Sequence, residues 1–511
     1  MRFMPISPVN FKVVSASDNS QDFPSNLLDE HSFEEWPVDI SADNSLFFPT
    51  YQKTLANARA KTALTESVRV GRANLQEHPV AVILCDFSFI GGSLGLVAGE
   101  RIAFGFEQAA NLGLPVISVL SSGGARMQEG MIALVQMAKT VVAARTHATA
   151  GLLQITICRD PTAGGMYASF GALADVIIAE PEATIGFAGP IVAQTLLNRP
   201  LDGSSHTATT LFAAGGADAL LNPTAQRAEL ACLLQALQAD PLPLPAQQRP
   251  TQQPALTKKQ AKPSNWDAVC AARSPTRPSG KEAVAALTTD FFRLRGDRAG
   301  GDDASIVAGL GRLHGRPVGI IAQDRKSGAA GQTTPAGFRL ARRTALLSER
   351  LELPLLTFID TPGACPNEQA ERQGQAAEIA QTFACLLNLA TPILSVCIGE
   401  GGSGGALALG CGDNFAMQES SVFYVLSPEG AATILQRDAT RAPEVAELFR
   451  FTPAELLADG IIDEIVPDDF GELSLTIAHH IDELSAIDSP VKNRQYRLDR
   501  WRKAGNNHLK T

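Results

Sequence analysis

The stretch CIGEGGSGGALALG, Cys397 to Gly410, follows the apolar run TPILSV and carries six glycines and a single carboxylate. An apolar run, a glycine-rich turn and then small residues of helical spacing read as strand, turn and helix start. A helix start presents main-chain N–H groups that have no intrahelical acceptor, at the positive end of the helix dipole. Glycine at Gly405, and at Gly165 in a similar loop earlier in the chain, lets a ligand oxygen approach them without meeting a Cβ. The stretch therefore predicts an anion site made of backbone.

Working outward, the same pattern occurs earlier in the chain. ITICRDPTAGGMYASFGALAD matches LSVCIGEGGSGGALALGCGD, with Gly164 set against Gly404 at an offset of 240. LPVISVLSSGGARMQEG, from Leu114, matches LPLLTFIDTPGACPNEQ, from Leu353, at 239, and HPVAVILCDF matches RPVGIIAQDR with Val80 against Val318 at 238. Collinear matches at a nearly constant offset indicate an internal duplication. Within each copy, short apolar runs alternate with segments of helical period such as MIALVQMAKTVVAA and QAAEIAQTFACLLNLA. The rhythm predicts an α/β fold, used twice.

Between the copies, Asp240 to Asn265 (DPLPLPAQQRPTQQPALTKKQAKPSN) is rich in Pro and Gln and poor in large apolar residues, as a solvated linker would be. The expected organisation is a leader (1–45), a first domain (46–239), the linker (240–265), a second domain (266–485) and a tail (486–511). For 511 residues, two domains are the natural division.

Charge and composition narrow the function. A net charge of -10 gives no general attraction to nucleic acid or an acidic membrane, and neither is expected as a partner. Without an apolar targeting segment or an uncharged run of spanning length, a cytoplasmic protein is expected. Eight cysteines without a CxxC pair read as thiols of a reducing compartment, and no metal site is expected. No histidine falls in a glycine loop, no HExxH spacing occurs, and no GxSxG elbow is present. Gly399, Gly401 and Gly404 do satisfy GxGxxG, with Glu419 about 20 residues on, so dinucleotide binding competes; so does close packing of small residues. Chemistry needing two stabilised oxyanions and no protein nucleophile fits best.

The motifs then carry a resemblance. GGSLGLVAGERI (Gly91 to Ile102), SSGGARMQEG (Ser121 to Gly130) and DPTAGGMYASFGALADVIIAEPEATIGFAGP (Asp160 to Pro190) resemble the β subunit of bacterial acetyl-CoA carboxylase carboxyltransferase. RGDRAGGDDASIVAGLGRLHGRPV (Arg295 to Val318), TFIDTPGACPNEQAERQGQ (Thr357 to Gln375) and IGEGGSGGALALGCGDNFAMQESSVFYVLSPEGAATIL (Ile398 to Leu435) resemble its α subunit. Together they resemble the fused β-α form, across about Tyr51 to Pro467. The resemblance implies two tandem crotonase-like (ClpP/crotonase) domains of repeated ββα superhelical units.

It also implies an activity: transfer of the carboxyl group from carboxybiotin, on a separate biotin carboxyl carrier protein charged by a biotin carboxylase, to acetyl-CoA, giving malonyl-CoA for fatty acid synthesis. In that mechanism carboxybiotin releases CO2, its ureido anion deprotonates the acyl methyl group, and the enolate captures CO2, so the protein holds two oxygens as they become negative. By analogy Gly164 and Gly165 serve the thioester oxygen and Gly405 and Ala406 the ureido oxygen. Gly91, Gly92, Gly123, Gly124, Gly363, Gly401, Gly402 and Gly404 shape the substrate floor. Arg126 and Arg298 are candidates for CoA phosphate or the migrating carboxylate, or else form ion pairs, Arg126 with Glu129 and Arg298 with Asp302 or Asp303. A homo-oligomer of at least two chains is implied. Carboxylation of propionyl-CoA or a longer acyl-CoA, or a non-catalytic scaffold of the same fold, are the alternatives.

Two departures from the family pattern stand out. The β subunit usually opens with a four-Cys zinc finger, whereas Met1 to about Ser45 contains no cysteine, so zinc is not expected. Cys365 and Asn367 stand where the family commonly has an aromatic and small residues, which puts the local loop shape in question.

Overall fold

The computed structural model describes residues 26–38, 40, 48–201, 203–245, 264–328, 330–486 and 490–506. Most of the expected leader and linker, and the end of the tail, lie outside them. The chain forms two compact units: residues through Thr209 together with Leu220–Ala228, and Thr210–Ala219 together with residues from Glu229 on.

In the first unit, strands β1 (Glu34–Glu35), β2 (Val68–Leu75), β3 (His78–Cys85), β4 (Val116–Ser122), β5 (Gln154–Ala163) and β6 (Val176–Ala179) lie side by side in that order, and β7 (Ile185–Gly186) pairs with the far end of β5. The pairs β1-β2 and β2-β3 are antiparallel, and β3-β4, β4-β5, β5-β6 and β5-β7 are parallel. Strands β3 and β4 are buried along nearly their whole length, which is why they read as continuous apolar runs. Helices Leu96–Leu112 and Met131–Thr149 supply the crossovers and bury small faces such as Ala98, Ile102, Phe106, Ala143 and Ala144.

The second unit repeats this plan with β8 (Thr289–Leu294), β9 (Ile306–Leu313), β10 (Arg316–Gln323), β11 (Leu355–Thr361), β12 (Ile393–Gly402), β13 (Asn414–Gln418), β14 (Val422–Tyr424) and β15 (Glu464–Val466). Its spatial order is β15-β13-β12-β11-β10-β9-β8, with β14 against β12. Antiparallel β9-β10 again leads into a parallel run. Helices Pro335–Arg350 and Gln375–Asn388 are the crossovers, and Phe470–Ser485 packs Leu473, Ile477 and Ile481 into the core with Val318, Ile320 and Phe358.

The duplication is visible atom by atom. The β4-β5 register breaks between Leu120 and Ser122, and the β11-β12 register breaks between Ile359 and Thr361, at equivalent positions. Isolated parallel bridges join Leu94 to Ala125 and Thr333 to Ala364. These fix the offset at 239 through the glycine loops: Gly164 is equivalent to Ser403, both with positive φ (66° and 59°), and Gly165 to Gly404. The alignment of Gly164 with Gly404 at 240 is thereby corrected by one residue.

All eight cysteines are free, and five of them (Cys85, Cys158, Cys365, Cys397 and Cys411) are buried. Burial pushes the Cys397 thiol up to about 12, so it packs as a small apolar group rather than as a nucleophile. Among the described residues no helix is long and apolar enough to cross a membrane, and no group of three or more His, Cys, Asp or Glu side chains is placed to hold a metal.

Candidate functional site

Each unit brings three strand-end loops together. In the first, Gly123 N–H donates to Gly91 O at 2.8 Å, Leu94 N–H to Gly124 O at 2.9 Å, and Arg126 N–H to Leu94 O at 2.9 Å. Ser122 Oγ accepts from Gly124 N–H at 3.1 Å. In the second, Thr333 N–H donates to Gly363 O at 3.2 Å, Cys365 N–H to Thr333 O at 2.9 Å, and Thr361 Oγ1 accepts from Gly363 N–H at 3.1 Å. Both turns need glycine, with φ of 124° at Gly124 and 135° at Gly363. The bonding alternates, so Ala125 N–H and Ala364 N–H are left without an acceptor among the described residues. The sequence offered no sign of these two donors beyond their position after a double glycine or Pro-Gly.

The helix-start amides complete each arrangement, with one correction. Gly164 N–H is donated to Gly186 O (3.2 Å) and Phe187 O (3.0 Å), so the polypeptide itself occupies the donor expected to serve the thioester oxygen. The uncommitted amides of the first unit fall one and two residues later, on buried Gly165 and Met166. In the second unit Gly404 N–H and Gly405 N–H have no acceptor among the described residues. Ala406 lies buried in the same first turn, beyond the reach of an i−4 acceptor inside the helix Ser403–Gly410. Gln323 Nε2 donates to Gly405 O at 3.0 Å and fixes that peptide plane. The expected small-residue helix forms only in the second unit. Residues after Gly164 wind more loosely, with Gly171 and Ala172 bonding five residues back to Met166 O and Tyr167 O.

The glycines differ in what they protect. A Cβ on Gly164 would come within 2.5 Å of Gly124 Cα, one on Gly92 within 2.0 Å of Ser121 O, and one on Gly402 within 2.0 Å of Pro362 O. On Gly401 it would strike the Phe423 ring, and on Gly405 it would reach 2.5 Å from Ala364 N. By contrast Gly404 faces open space, Gly91 and Gly123 meet only ordinary contacts, and a Cβ on Gly165 would touch Met137 and Leu94 at 3.4 to 3.5 Å.

The two arginines are consumed within their units. Arg126 is fully buried. Its Nη2 donates to Glu66 Oε1 (2.5 Å), Ser67 Oγ (3.2 Å) and Ser93 O (2.9 Å), its Nη1 to Glu66 Oε2 (2.9 Å) and Tyr51 Oη (3.1 Å), and its Nε to Ser93 Oγ (3.1 Å). Glu129 stands farther, at 3.5 Å, accepts from Tyr51 Oη, and caps the helix starting at Leu96 through Leu96 N–H (2.5 Å). The Arg126 side chain is therefore committed inside the unit and anchors the backbone directly after Ala125. Arg298 pairs with buried Asp218, which Arg343 shares; the expected partner Asp302 is held instead by Arg295.

Burial alone would raise the Glu66 carboxyl, but hydrogen bonds and charge from Arg126 hold it below the usual carboxylate range. A depressed folded-state pKa contributes stability that is complete above the unfolded value and is lost as pH falls through the folded one. Glu66→Gln is expected to lower stability by about 1 to 3 kcal/mol near neutrality. In thermal melts, the gap from the parent should narrow below about pH 4; a gap independent of pH would remove Glu66 as the anchor.

Dinucleotide binding is excluded by backbone placement. A strand, Asn414–Gln418, does end directly before Glu419, but Gly399 and Gly401 lie inside β12 and not in a phosphate-cradling turn. Asn367 shows how the unusual DTPGACPN loop closes: its Oδ1 accepts from Ala370 N–H at 2.8 Å and caps Glu368–Arg372, while Cys365 packs inward.

Duplicated mixed sheets, each with a glycine loop that leaves main-chain donors unpaired among the described residues, define a crotonase-like enzyme fold. Residues 247–500 match the family model described as acetyl co-enzyme A carboxylase carboxyltransferase-like. The chain is 39% identical over 503 residues to the acetyl-coenzyme A carboxylase carboxyl transferase subunits beta/alpha of Saccharopolyspora erythraea, covering 93% of this chain and 87% of that protein. It is 36% identical to the probable biotin-dependent acyl-coenzyme A carboxylase beta3 subunit of Mycobacterium tuberculosis, covering 94% and 97%. Among solved structures, the transcarboxylase 12S hexamer with methylmalonyl-coenzyme A shares the fold at a TM-score of 0.72 and 23% identity, covering 90% of this chain and 89% of that one. The chain belongs to the carboxyltransferase family of biotin-dependent acyl-CoA carboxylases.

Proposed function

We propose that the chain is the carboxyltransferase of an acetyl-CoA carboxylase, making malonyl-CoA for fatty acid synthesis in the cytoplasm. It would act with biotin on a separate carrier protein and with a biotin carboxylase. The observation that carries this reading is the likeness, over nearly the full length of both chains, to a relative named for fused beta and alpha acetyl-CoA carboxylase subunits. The similarity to a subunit named only for acyl-CoA keeps propionyl-CoA or a longer substrate as the second reading.

Carboxybiotin supplies activated CO2 and the base. The chain's residues bind, orient and stabilise. In the first unit Ala125, Gly165 and Met166 offer N–H groups to the thioester oxygen, and in the second Ala364, Gly404 and Gly405, with Ala406 behind them, offer theirs to the ureido oxygen. Fixed amides gain interaction as an oxygen becomes negative and need no reorganisation at that moment. Glycine-lined walls admit those oxygens.

A homo-oligomer of at least two chains is part of this proposal. It is supported by exposed apolar side chains on equivalent helices, Ile191 and Leu196 after β7 and Ile434 and Leu435 after β14. The experiment is a competition: with carboxylated carrier present, acetyl-CoA should be consumed ahead of propionyl-CoA at equal concentration. Preferential propionyl-CoA carboxylation would select the second reading, and turnover of neither would defeat both.

A further inference from the structure

The free main-chain donors of the second unit sit on two segments, Ala364 on the loop after β11, and Gly404 and Gly405 on the helix start after β12. They crowd together all the same, since a Cβ on Gly405 would reach 2.5 Å from Ala364 N. One side chain bridges the two segments. Gln323, the last residue of β10 and wholly buried, donates Nε2 to Gly405 O at 3.0 Å and to Thr333 Oγ1 at 3.3 Å. Thr333 N–H in turn donates to Gly363 O at 3.2 Å. Because Gly363 O and Ala364 N–H belong to one planar peptide group, holding that oxygen aims that donor.

The bridge carries a penalty. Gly405 O can only accept, so the amide nitrogen of Gln323 must face it, and Oε1 is left buried with no hydrogen-bond partner among the described residues. Gln375 repeats the pattern: its Nε2 donates to Thr333 O at 2.8 Å and its Oε1 is likewise buried without a partner. An unpaired buried acceptor disfavours folding, and an apolar side chain of similar shape would avoid it. Stability alone therefore does not account for an amide at Gln323.

The first unit lacks the bridge. It keeps the equivalent main-chain bond, Leu94 N–H to Gly124 O at 2.9 Å, and the equivalent isolated pairing of Leu94 with Ala125. Cys85, however, ends β3 where Gln323 ends β10, and Leu94 stands where Thr333 stands, so no side-chain amide ties the loop segments there. Gln136, in the place of Gln375, turns back on its own helix and donates to Ile132 O at 2.9 Å. The duplication retained the backbone plan in both copies and the side-chain brace in one.

We propose that Gln323 is a positioning residue of the second glycine loop: it sets the gap between Ala364 N–H and the N–H groups of Gly404 and Gly405, so that both sets converge on one oxygen. The inference rests on the reading of this loop as the place where the ureido oxygen becomes negative. Gln323 acts through Gly405 and Thr333, not on the reacting atoms.

Gln323→Met in the full chain tests this by amide exchange and by turnover. Exchange at Thr333 N–H and Cys365 N–H, which bond to Gly363 O and Thr333 O, should rise about tenfold, while the equivalent Leu94 and Arg126 amides of the first unit keep their wild-type rates. With whichever acyl-CoA the competition selects, kcat should fall about tenfold, against the roughly 10²-fold that a 1 Å misplacement can cost. KM for the acyl-CoA should stay within about twofold, because the first unit holds the thioester. Thr333→Val should slow transfer less, since Gln323 still holds Gly405 O, and adding it to Gln323→Met should slow the reaction no further. Thr344→Val is the control: Thr344 is as deeply buried in the same unit and donates Oγ1 to Leu340 O at 3.0 Å within its own helix, so its loss should lower the melting temperature and leave loop exchange and kcat alone. Unchanged exchange in Gln323→Met, an equal rise in Thr344→Val, or a double variant slower than Gln323→Met by the full Thr333→Val factor would overturn the proposal. Raised exchange with kcat unmoved would leave Gln323 as the brace of the loop and overturn the loop's assignment to the ureido oxygen.

Discussion

Gly405→Ala is expected to lower carboxyl transfer by about 10²- to 10³-fold, the effect of disabling one oxyanion donor, while Gly165→Ala stays close to wild type. The contrast follows from where each new methyl would go. On Gly405 it would reach 2.5 Å from Ala364 N, a contact with backbone that no side-chain rotation relieves, and it would push apart two donors proposed to share one oxygen. On Gly165 it would meet Met137 and Leu94 at 3.4 Å or more, ordinary packing with a flexible thioether on one side. If the amides act as proposed, kcat falls in Gly405→Ala with little change in KM for the acyl-CoA, because the interaction is gained in the transition state. Equal activities in the two variants, each folded by circular dichroism, would remove Gly405 from the reaction.

The same contrast shows what the sequence could and could not disclose. Duplication, alternating apolar runs and glycine turns announced two α/β units, because buried parallel strands and helix crossovers each leave a periodic trace. Position within a glycine pair leaves none. Gly164 and Gly165 look alike in GGMYAS, yet one amide is bonded to Gly186 and Phe187, across a β5-β7 pairing that local pattern does not encode. Ala125 and Ala364 escaped notice because their free N–H groups result from an isolated parallel bridge to a loop 31 residues upstream in each case. Arg126 and Arg298 read either as anion ligands or as ion pairs with near neighbours, because charge in a motif is visible and burial is not; their main partners Glu66 and Asp218 lie 60 and 80 residues away.

Arg497→Met is expected to destabilise the second unit by about 3 to 5 kcal/mol, a melting-temperature loss of roughly 10 °C for a unit of this size. Arg497 projects from the helix Pro490–Lys503, in the tail to which the sequence assigned no role, and is wholly buried. It donates to Asp413 Oδ1 (3.0 Å) and Oδ2 (2.6 Å) and to three carbonyls, Leu386 O, Leu389 O and Thr391 O, each at 2.8 Å. Methionine fills similar volume but would strand those acceptors and leave the Asp413 carboxylate with only Ile393 N–H (2.7 Å) and neighbouring Arg500. Burial already raises the Asp413 pKa against the pull of Arg497, so removing that guanidinium drives the carboxyl further toward its neutral form. Because the penalty is then either an uncompensated carboxylate or the proton uptake that neutralises it, adding Asp413→Asn to Arg497→Met should recover part of the loss. Arg441→Gln, which breaks the exposed pair with Glu444, should melt with wild type. Ile393 opens β12, the strand that ends at Gly401 and Gly402, so weakening this clamp should also loosen the second glycine loop and raise amide exchange at Gly404 and Gly405 before the unit melts. Wild-type melting of Arg497→Met, or a double variant no more stable than the single one, would show that the tail helix is not what secures the start of that strand.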